Sequence, residues 1–187
     1  MNIIEIPEPK LSKLLFADTH FSGVWLLLRI YVGWEWLMAG WGKVMSPAWT
    51  GLSAGNSISG FLNGALQKVN GAHPDVSGWY AFFIQNIVIP HPVFFSYLVA
   101  YGELAVGLGL ILGAFTGIAA FFGALMNFNY LFAGTISTNP FLLLIELLLV
   151  LAWRNAGWLG LDRYLLPRLG VPWQKGALFG GKEKKSS

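Results

Sequence analysis

Three glutamates and one arginine lie inside hydrophobic stretches long enough to cross a bilayer, and they are the residues best placed to do chemistry. They are Glu35, Glu103, Glu146 and Arg29. A charge at mid-membrane costs at least about 2.5 to 3.5 kcal/mol, so such residues usually face a bundle interior, where they pair or line a pathway. We expect an unpaired glutamate at that depth to stay protonated, which would make it a proton donor or acceptor.

The first hydrophobic stretch carries the most ordered polar pattern. Its members are Arg29, Gly33, Trp36, Gly40 and Lys43. Spacings of three and four residues place them on one stripe of a helix. The glycines would let a neighbouring backbone or a flat ligand come close. Glu35 lies off this stripe, so we expect it to face a different helix or to line another side of the same cavity.

The later stretches each add a polar group. Glu103 is followed one helical turn later by Gly107, and Asn127 and Glu146 lie in the next two stretches. All of these residues also have a structural interpretation. Arg29 and Glu103 could form an ion pair that fixes helix register, Lys43 could extend to lipid headgroups, and Asn127 could hydrogen-bond between helices.

Composition places the chain among membrane proteins. Of its 187 residues, 55% are hydrophobic and 11% charged, which favours a single all-α membrane domain over residues 1–187. Cysteine is absent, which excludes disulfides, thiolate metal sites and a dithiol relay within this chain. The three histidines lie outside the hydrophobic stretches, so we expect no haem, flavin or metal in this chain and no metal ligands among its residues. The basic residues near the C-terminus are more typical of a solvated end than of a nucleic-acid site.

Four segments meet the requirement of about 20 mainly apolar residues for a membrane-spanning helix. They are residues 22–44, 92–113, 116–135 and 139–155. The last is short, but Trp153 provides an interfacial anchor. The fold predicted is therefore a four-transmembrane-helix bundle, in which short connections make the last three helices antiparallel neighbours.

The distribution of lysine and arginine predicts the orientation. Basic residues flank the first and last spans, whereas the loop at 46–91 carries only Lys68. By the positive-inside rule, both termini are cytoplasmic, the loop is extracytoplasmic and the tail at 156–187 is cytoplasmic. The predicted location is the cell membrane, with several crossings.

The 46–91 loop is too apolar for a simple linker. Apolar residues recur at helical spacing after Ser57, a candidate N-cap, and again from Trp79 to Ile87. These patterns predict two short amphipathic helices that cap the outer face of the bundle, lying at the interface or re-entering the membrane. A partly disordered loop is the alternative. The tail around Trp158 to Leu169 predicts a similar interfacial segment at the other face.

These residues resemble the signature of the DoxX/DoxD family of small four-helix membrane proteins. The resemblance rests on Arg29, Gly33, Gly40 and Lys43 in the first helix, and on Glu103-Leu104, Gly107, Leu110 and Gly113 in the second. The tail from Asn155 to Arg163 is similar to the end of bacterial DoxD-type members. The chain departs from the family pattern at the turn 114–117 and in its long outer loop.

The resemblance implies a subunit of thiosulfate:quinone oxidoreductase, which oxidises thiosulfate to tetrathionate and passes electrons to membrane quinone. It also implies a second small extracytoplasmic subunit, and a homo-oligomer is the other expected assembly. In this interpretation the chain is part of an enzyme, a thiosulfate dehydrogenase (quinone), and it contacts membrane lipid and quinone but no nucleic acid.

The expected quinone site lies within the bundle. Glu103 would supply protons, and either Arg29 or Lys43 would polarise a carbonyl oxygen. Trp36 would stack on the ring, and the remaining cofactor-binding candidates are Gly33, Gly40, Glu35, Asn127 and Glu146. Two other functions stay open: a non-catalytic membrane scaffold that recruits a redox or detoxification partner, and a proton-coupled transporter.

Overall fold

The computed structural model describes residues 8–70 and 72–169, and within these residues the fold is all-helical. Four longer helices dominate it, at places that agree with the predicted hydrophobic segments to within a few residues. They are α2 (Ser22–Val44), α6 (Pro92–Leu112), α7 (Thr116–Phe132) and α8 (Asn139–Leu151). The shorter helices are α1 (Lys10–Phe16), α3 (Pro47–Thr50), α4 (Asn56–Leu66), α5 (Gly78–Phe83), α9 (Trp153–Ala156) and α10 (Asp162–Arg168).

The ends of the long helices follow from local backbone chemistry. Pro92 and Pro140 lie in the first turns of α6 and α8, where a missing N–H costs nothing. Helix α6 ends at Gly113 (φ 63°), in the left-handed conformation that glycine tolerates. Two predicted ends were too late: α7 stops at Phe132, shortly before Gly134, and α8 stops at Leu151, where the chain turns into the separate helix α9.

The four long helices surround one apolar core. Helix α2 packs most extensively against α6, and α7 against α8, while α6 meets α7 and α2 meets α8 over smaller areas. The core contains Val32, Leu110, Ala120, Ile145 and Leu149, all of them buried. The seam between α6 and α7 is therefore one of the looser ones of the bundle.

The predicted outer-loop helices form a cap at one end of the bundle, which we call the outer end. Helix α4 begins after Gly55 (φ 96°), so the expected N-cap Ser57 is wrong and lies within the first turn. Helix α5 continues as a π-helical turn over Ile84–Val88, in agreement with the second predicted segment. A second buried cluster that includes Ile58, Leu62 and Ile84 holds the cap together.

The segments before α2 and after α8 meet at the opposite end, which we call the inner end. The Asn155 amide donates hydrogen bonds to the carbonyls of Leu15 (2.9 Å) and Asp18 (2.8 Å), which joins α9 to the N-terminal segment. Trp25 donates to the same Leu15 carbonyl at 2.8 Å. The predicted tail segment is helical as α10, whereas Lys175 and the terminal lysines lie outside the described residues.

By length and hydropathy, α6 is the one helix of the described residues that could cross a membrane, with a mean hydropathy of 1.7 over 18 residues. Helices α7 and α8 are apolar but shorter. Helix α2 is long enough at 23 residues, but Arg29 and Glu35 lower its hydropathy. The charges of Arg29 and Glu35, which suggested chemistry, are therefore also the reason that α2 has a lower mean hydropathy than a typical membrane span.

Candidate functional site

A three-residue polar network joins α2, α6 and α7 in the outer half of the bundle. The Lys43 ammonium donates to Glu103 Oε2 at 2.6 Å, and the Tyr130 hydroxyl donates to Glu103 Oε1 at 2.5 Å. Glu103 is 1% exposed, whereas the Lys43 side chain is 18% exposed and reaches the surface below Trp49. The network thus connects a buried carboxylate to the outer end through an ammonium group.

A second network surrounds the other buried carboxylate of the core. Glu146 accepts hydrogen bonds from the Trp36 indole and from the Asn127 amide, the latter at 2.6 Å. Gly123 provides the space, because a Cβ there would lie 2.6 Å from Glu146 Oε1. Glu146 and Asn127 are fully buried and Trp36 is nearly so, so this network lies inside the protein.

Two aromatic rings connect the networks. The rings of Trp36 and Tyr130 are stacked with centroids 6.5 Å apart and an angle of 27° between their planes. Tyr130 therefore occupies one face of Trp36, on which sequence analysis placed a quinone ring. Tyr130 thereby covers Trp36, and Tyr130 but not Trp36 lines the cleft described below.

Arg29 lies at the inner end, where it contacts the segment that follows α9. Its Nη2 donates to the Leu159 carbonyl at 3.0 Å. The guanidinium also interacts electrostatically with the Asp162 carboxylate. The guanidinium lies against Gly113 and Gly160, where a Cβ would overlap it. Arg29 is 1% exposed, so this contact fixes α2 to the chain that follows the bundle.

The Arg29–Glu103 ion pair offered as the structural alternative is therefore wrong, and Lys43 is the partner of Glu103. The reason is the antiparallel packing of α2 and α6. Arg29 lies in the first half of α2 and faces the end of α6 at Gly113, whereas Lys43 lies in the last turn and faces Glu103. The structure places Arg29 and Lys43 in separate halves of the bundle, as their spacing predicted.

The glycines of the α2 stripe serve helix packing. A Cβ on Gly40 would overlap the backbone of Leu104, and one on Gly33 would lie 2.9 Å from the Ile111 side chain. On the facing helix, a Cβ on Gly107 would overlap the backbone of Leu37. Of the two possibilities that the sequence left open for Gly33 and Gly40, the structure shows the close approach of a neighbouring backbone.

Glu35 departs from its expected position. It is exposed on the outward face of α2, beside exposed Trp34 and Met38. The expectation that it faces another helix or lines the inner cavity is wrong, because the buried side of α2 carries Arg29, Gly33 and Trp36, and Glu35 lies away from it. Among the described residues no hydrogen bond or ion pair to Glu35 is present.

A large cleft runs along the seam between α6 and α7, beside the first network. Its volume is about 690 Å³. The cap contributes Trp49, Phe61 and Tyr80, α6 contributes residues from Phe95 to Leu112, and α7 contributes residues up to Asn129 and Tyr130. Nearly all of the lining is apolar, and its main polar groups are the Tyr80 and Tyr130 hydroxyls and the Asn129 amide. A pocket of this size and character suits an apolar ligand with a small polar group.

Two residues of the polar networks were not among the candidates from the sequence. Tyr130 was one aromatic among many in α7 and gave no signal of its own. Asp162 appeared only as a charge of the tail, but its carboxylate accepts the backbone N–H groups of Phe115 (2.5 Å) and Thr116 (2.8 Å) and so caps α7. The available signal was the position of Asp162 directly after the glycines of the 155–163 segment.

The described residues form an all-helical protein with buried polar networks and one helix that is long and apolar enough to cross a membrane. A family model named DoxX matches residues 24–135, which is more than half of the chain, and the chain belongs to this family. The matched region contains both Lys43–Glu103–Tyr130 and the cleft. No curated protein and no solved structure matches the chain at a significant level.

Among residues 8–70 and 72–169, no group of three or more His, Asp or Glu side chains is arranged to hold a metal ion.

Proposed function

We propose that this chain is the membrane subunit of a quinone-linked oxidoreductase, and that the quinone binds in the α6–α7 cleft with its headgroup at Tyr130. One observation carries the proposal: a long apolar cleft is lined by Tyr130, whose hydroxyl is bonded to a buried carboxylate. The shape suits an isoprenoid tail and a ring with hydrogen-bond acceptors. The cleft lies between two helices of the bundle, so a hydrophobic ligand would reach it from the lipid.

The four long helices serve in this proposal as membrane spans, with both termini cytoplasmic and the 46–91 cap outside. Two observations support this topology. The N-terminal segment and α9 are joined at one end of the bundle, as an even number of crossings requires. The cap lies at the other end, where Tyr80 donates to Asn129 and Lys68 to the Gly134 carbonyl.

The network provides a route for protons to the headgroup. In the resting arrangement, Tyr130 donates its only hydroxyl proton to Glu103. When Glu103 Oε2 receives a proton from Lys43, the neutral carboxyl group can rotate so that its hydroxyl faces Tyr130 and donates to the Tyr130 oxygen. The tyrosine proton is then free to point into the cleft. Lys43 is replenished from the outer surface, which its side chain reaches. The proton thus passes from Lys43 to Glu103 and, after the carboxyl group has rotated, from Glu103 to Tyr130.

The overall reaction requires an electron donor outside this chain. With thiosulfate as the donor, two thiosulfate ions form one tetrathionate with a new S–S bond and release two electrons, and the quinone takes up these two electrons and two protons to become quinol. Thiosulfate is the substrate that the DoxD-type resemblance implies, and its oxidation belongs to an extracytoplasmic partner subunit.

A scaffold is the second candidate, and one observation favours it. Both Glu103 oxygens are already satisfied by Lys43 and Tyr130, so the network can hold three helices together without any ligand. In that case the chain would recruit a redox or detoxification partner through its cap or its tail.

Bound quinone distinguishes the two candidates. The chain is purified from membranes in mild detergent, and organic extraction followed by chromatography measures quinone per protein. The proposal predicts a nearly stoichiometric amount. A well-folded preparation without quinone, which also fails to bind added short-chain quinone, would favour the scaffold.

A matched pair of variants locates the site. Gly102 lines the cleft, and a Cβ there would have room, with its nearest atom 3.6 Å away at Met126. Gly102→Leu should therefore fill the cleft and lower the quinone content by about tenfold, by occupying the space that the ligand needs. Gly60→Leu adds the same side chain at an exposed position of α4 with open space and should leave the content unchanged. Equal content in both variants would exclude the cleft as the site.

A further inference from the structure

The outward face of α2 carries a polar group that the site described above does not use. Exposed residues recur along this face through the whole helix: Leu27, Tyr31, Trp34, Glu35, Met38 and Trp41. Glu35 lies near the middle of Ser22–Val44. In a membrane-spanning α2, this carboxyl group would face lipid near the centre of the bilayer.

Within the described residues, nothing satisfies this carboxyl group. The two basic residues of α2 are both engaged elsewhere, Lys43 with Glu103 and Arg29 with the Leu159 carbonyl. A carboxyl group exposed to hydrocarbon is unfavourable even when it is protonated, because its hydrogen-bonding groups lack partners. A partner from outside the chain would remove that penalty.

The same face also carries unused hydrogen-bond donors. No hydrogen bond involves the Trp34 indole or the Tyr31 hydroxyl among the described residues, and both side chains are exposed, although the Tyr31 ring also packs against Phe141 of α8. Trp34 adjoins Glu35 in sequence, and Tyr31 lies one helical turn before it. Donors and acceptor therefore share one face at similar depth, so the face is complementary to itself.

Membrane insertion favours a second copy over an unrelated partner. Copies of one chain insert in the same orientation, so a two-fold axis along the membrane normal brings Glu35 of one copy to the depth of Trp34 and Tyr31 of the other. Such an axis creates an isologous contact in which every hydrogen bond occurs twice. Gly42, two turns beyond Glu35, is exposed and has no atom within 4 Å of a Cβ position, which permits close helix approach.

We propose that a second copy of this chain docks on the outward face of α2 in a parallel two-fold arrangement, with each Glu35 carboxyl group accepting a hydrogen bond from Trp34 or Tyr31 of the other copy. The proposal does not depend on the quinone site, because the cleft lies between α6 and α7. Both proposals rest on α2 as a membrane span, but a failure of quinone binding would leave this one intact.

Cysteine cross-linking in membranes tests the interface, since the natural chain has no cysteine. Met38→Cys places a thiol on the proposed face, and mild oxidation should produce a disulfide-linked dimer at low expression levels. Phe128→Cys is the control, because Phe128 is also exposed and lies at a comparable distance from the outer end on α7. It should stay monomeric.

Substitutions of Glu35 in the Met38→Cys background then test the hydrogen bond. Glu35→Leu should lower the cross-linked fraction by about tenfold, the loss expected for an interhelical hydrogen bond in a membrane. Glu35→Gln keeps an acceptor and should retain most of the dimer. Glu35 is exposed and makes no hydrogen bond or ion pair with the described part of the chain, so both variants should accumulate and melt as the Met38→Cys parent does when measured as monomers in detergent.

Four results would overturn the proposal. They are the absence of cross-linking at Met38→Cys, equal cross-linking at Phe128→Cys, a cross-link from Met38→Cys to a different protein in place of a second copy, and a dimer that Glu35→Leu leaves unchanged.

Discussion

Lys43 and Glu103 form an ion pair of 2.6 Å in which the carboxylate is 1% exposed and the ammonium group reaches the outer surface. The pair links the last turn of α2 to the middle of α6. Removal of Lys43 would leave a buried carboxylate with only Tyr130 as partner. Because Glu103 is buried and Lys43 is partly exposed, substitutions of the two residues should differ in their effects, and this difference separates a structural role of Glu103 from a role in proton transfer.

We expect Lys43→Met to destabilise the protein by about 3 to 5 kcal/mol, the usual cost of removing one partner of a buried ion pair. Glu103→Gln should be milder, because the amide still accepts the Tyr130 hydrogen bond. The double variant should regain part of the stability that Lys43→Met loses. Melting temperature and yield in detergent measure these effects.

Quinone reduction with the co-purifying partner tests the chemical role of the same residues. If Glu103 transfers protons, Glu103→Gln and the double variant should both be inactive although they are folded. Activity that returns together with stability in the double variant would assign Glu103 a structural role only.

The close approach of α2 and α6 yields a second prediction. Gly40→Ala and Gly107→Ala would each force a methyl group against the backbone of the facing helix, and we expect a loss of about 1 to 3 kcal/mol for each. Gly60→Ala, in open space on α4, should be neutral or stabilising by up to about 1 kcal/mol. Melting temperatures of the three variants provide the comparison, and no difference between them would contradict the packing described.

The cap of α7 yields a third prediction. Asp162→Ala removes the acceptor for two backbone N–H groups and the negative charge beside Arg29. The loss of the cap alone should cost about 0.5 to 2 kcal/mol. Asp75→Ala removes an exposed carboxylate of the cap and is the control. If both variants melt at the same temperature, the Asp162 bonds do not stabilise the fold.

Tyr80 gives the outer cap a pH dependence. Burial raises the pKa of Tyr80 to about 12 from an ordinary value of 10. A pKa raised by folding means that the folded state retains the proton, so this contribution is complete below pH 10 and is lost as the pH rises towards 12. We expect cap stability, followed by proteolysis of the 46–91 segment, to fall across this interval.

Tyr80→Phe removes the titrating group, so its stability should change less between pH 10 and 12 than that of the natural chain. Tyr164→Phe, which removes an exposed tyrosine hydroxyl, should behave as the natural chain does. An identical alkaline profile for Tyr80→Phe would show that Tyr80 is not responsible.

The proposed topology can be tested with single cysteines at exposed positions of the cap and of α1. An impermeant thiol reagent should label Gly60→Cys and Leu11→Cys from opposite sides of the membrane. Labelling of both from the same side would exclude an odd number of crossings between them and so contradict the topology. Permeabilised membranes, in which both positions should react, provide the control.

The long helices could be predicted from the sequence because apolar length and proline or glycine at the ends determine them. The prediction of 22–44 has the same bounds as α2. Polar partners could not be predicted in the same way, because they depend on which residues of antiparallel helices lie side by side. This register places Lys43 beside Glu103 and leaves Arg29 at the opposite end.

The candidate site was predicted in part. The stripe on α2 indicated a close neighbour, but spacing alone could not separate a helix backbone from a flat ligand, and Leu104 and Ile111 of α6 occupy that space. Glu35 was expected inside because most intramembrane charges are buried. The cleft beside Tyr130 had no sequence signal, since it arises where two helices fail to pack tightly.

The contact of Arg29 with the Leu159 carbonyl has a consequence for biosynthesis. Arg29 is translated 130 residues before its hydrogen-bond partner. During synthesis, the guanidinium must wait in α2 without Leu159 and Asp162 until the segment after α9 leaves the ribosome. The segment that contains Leu159 therefore packs onto Arg29 only after the long helices have been synthesised. A truncation before Leu159 should leave the four long helices assembled but the Arg29 charge uncovered. Membrane quality control can recognise such an exposed charge.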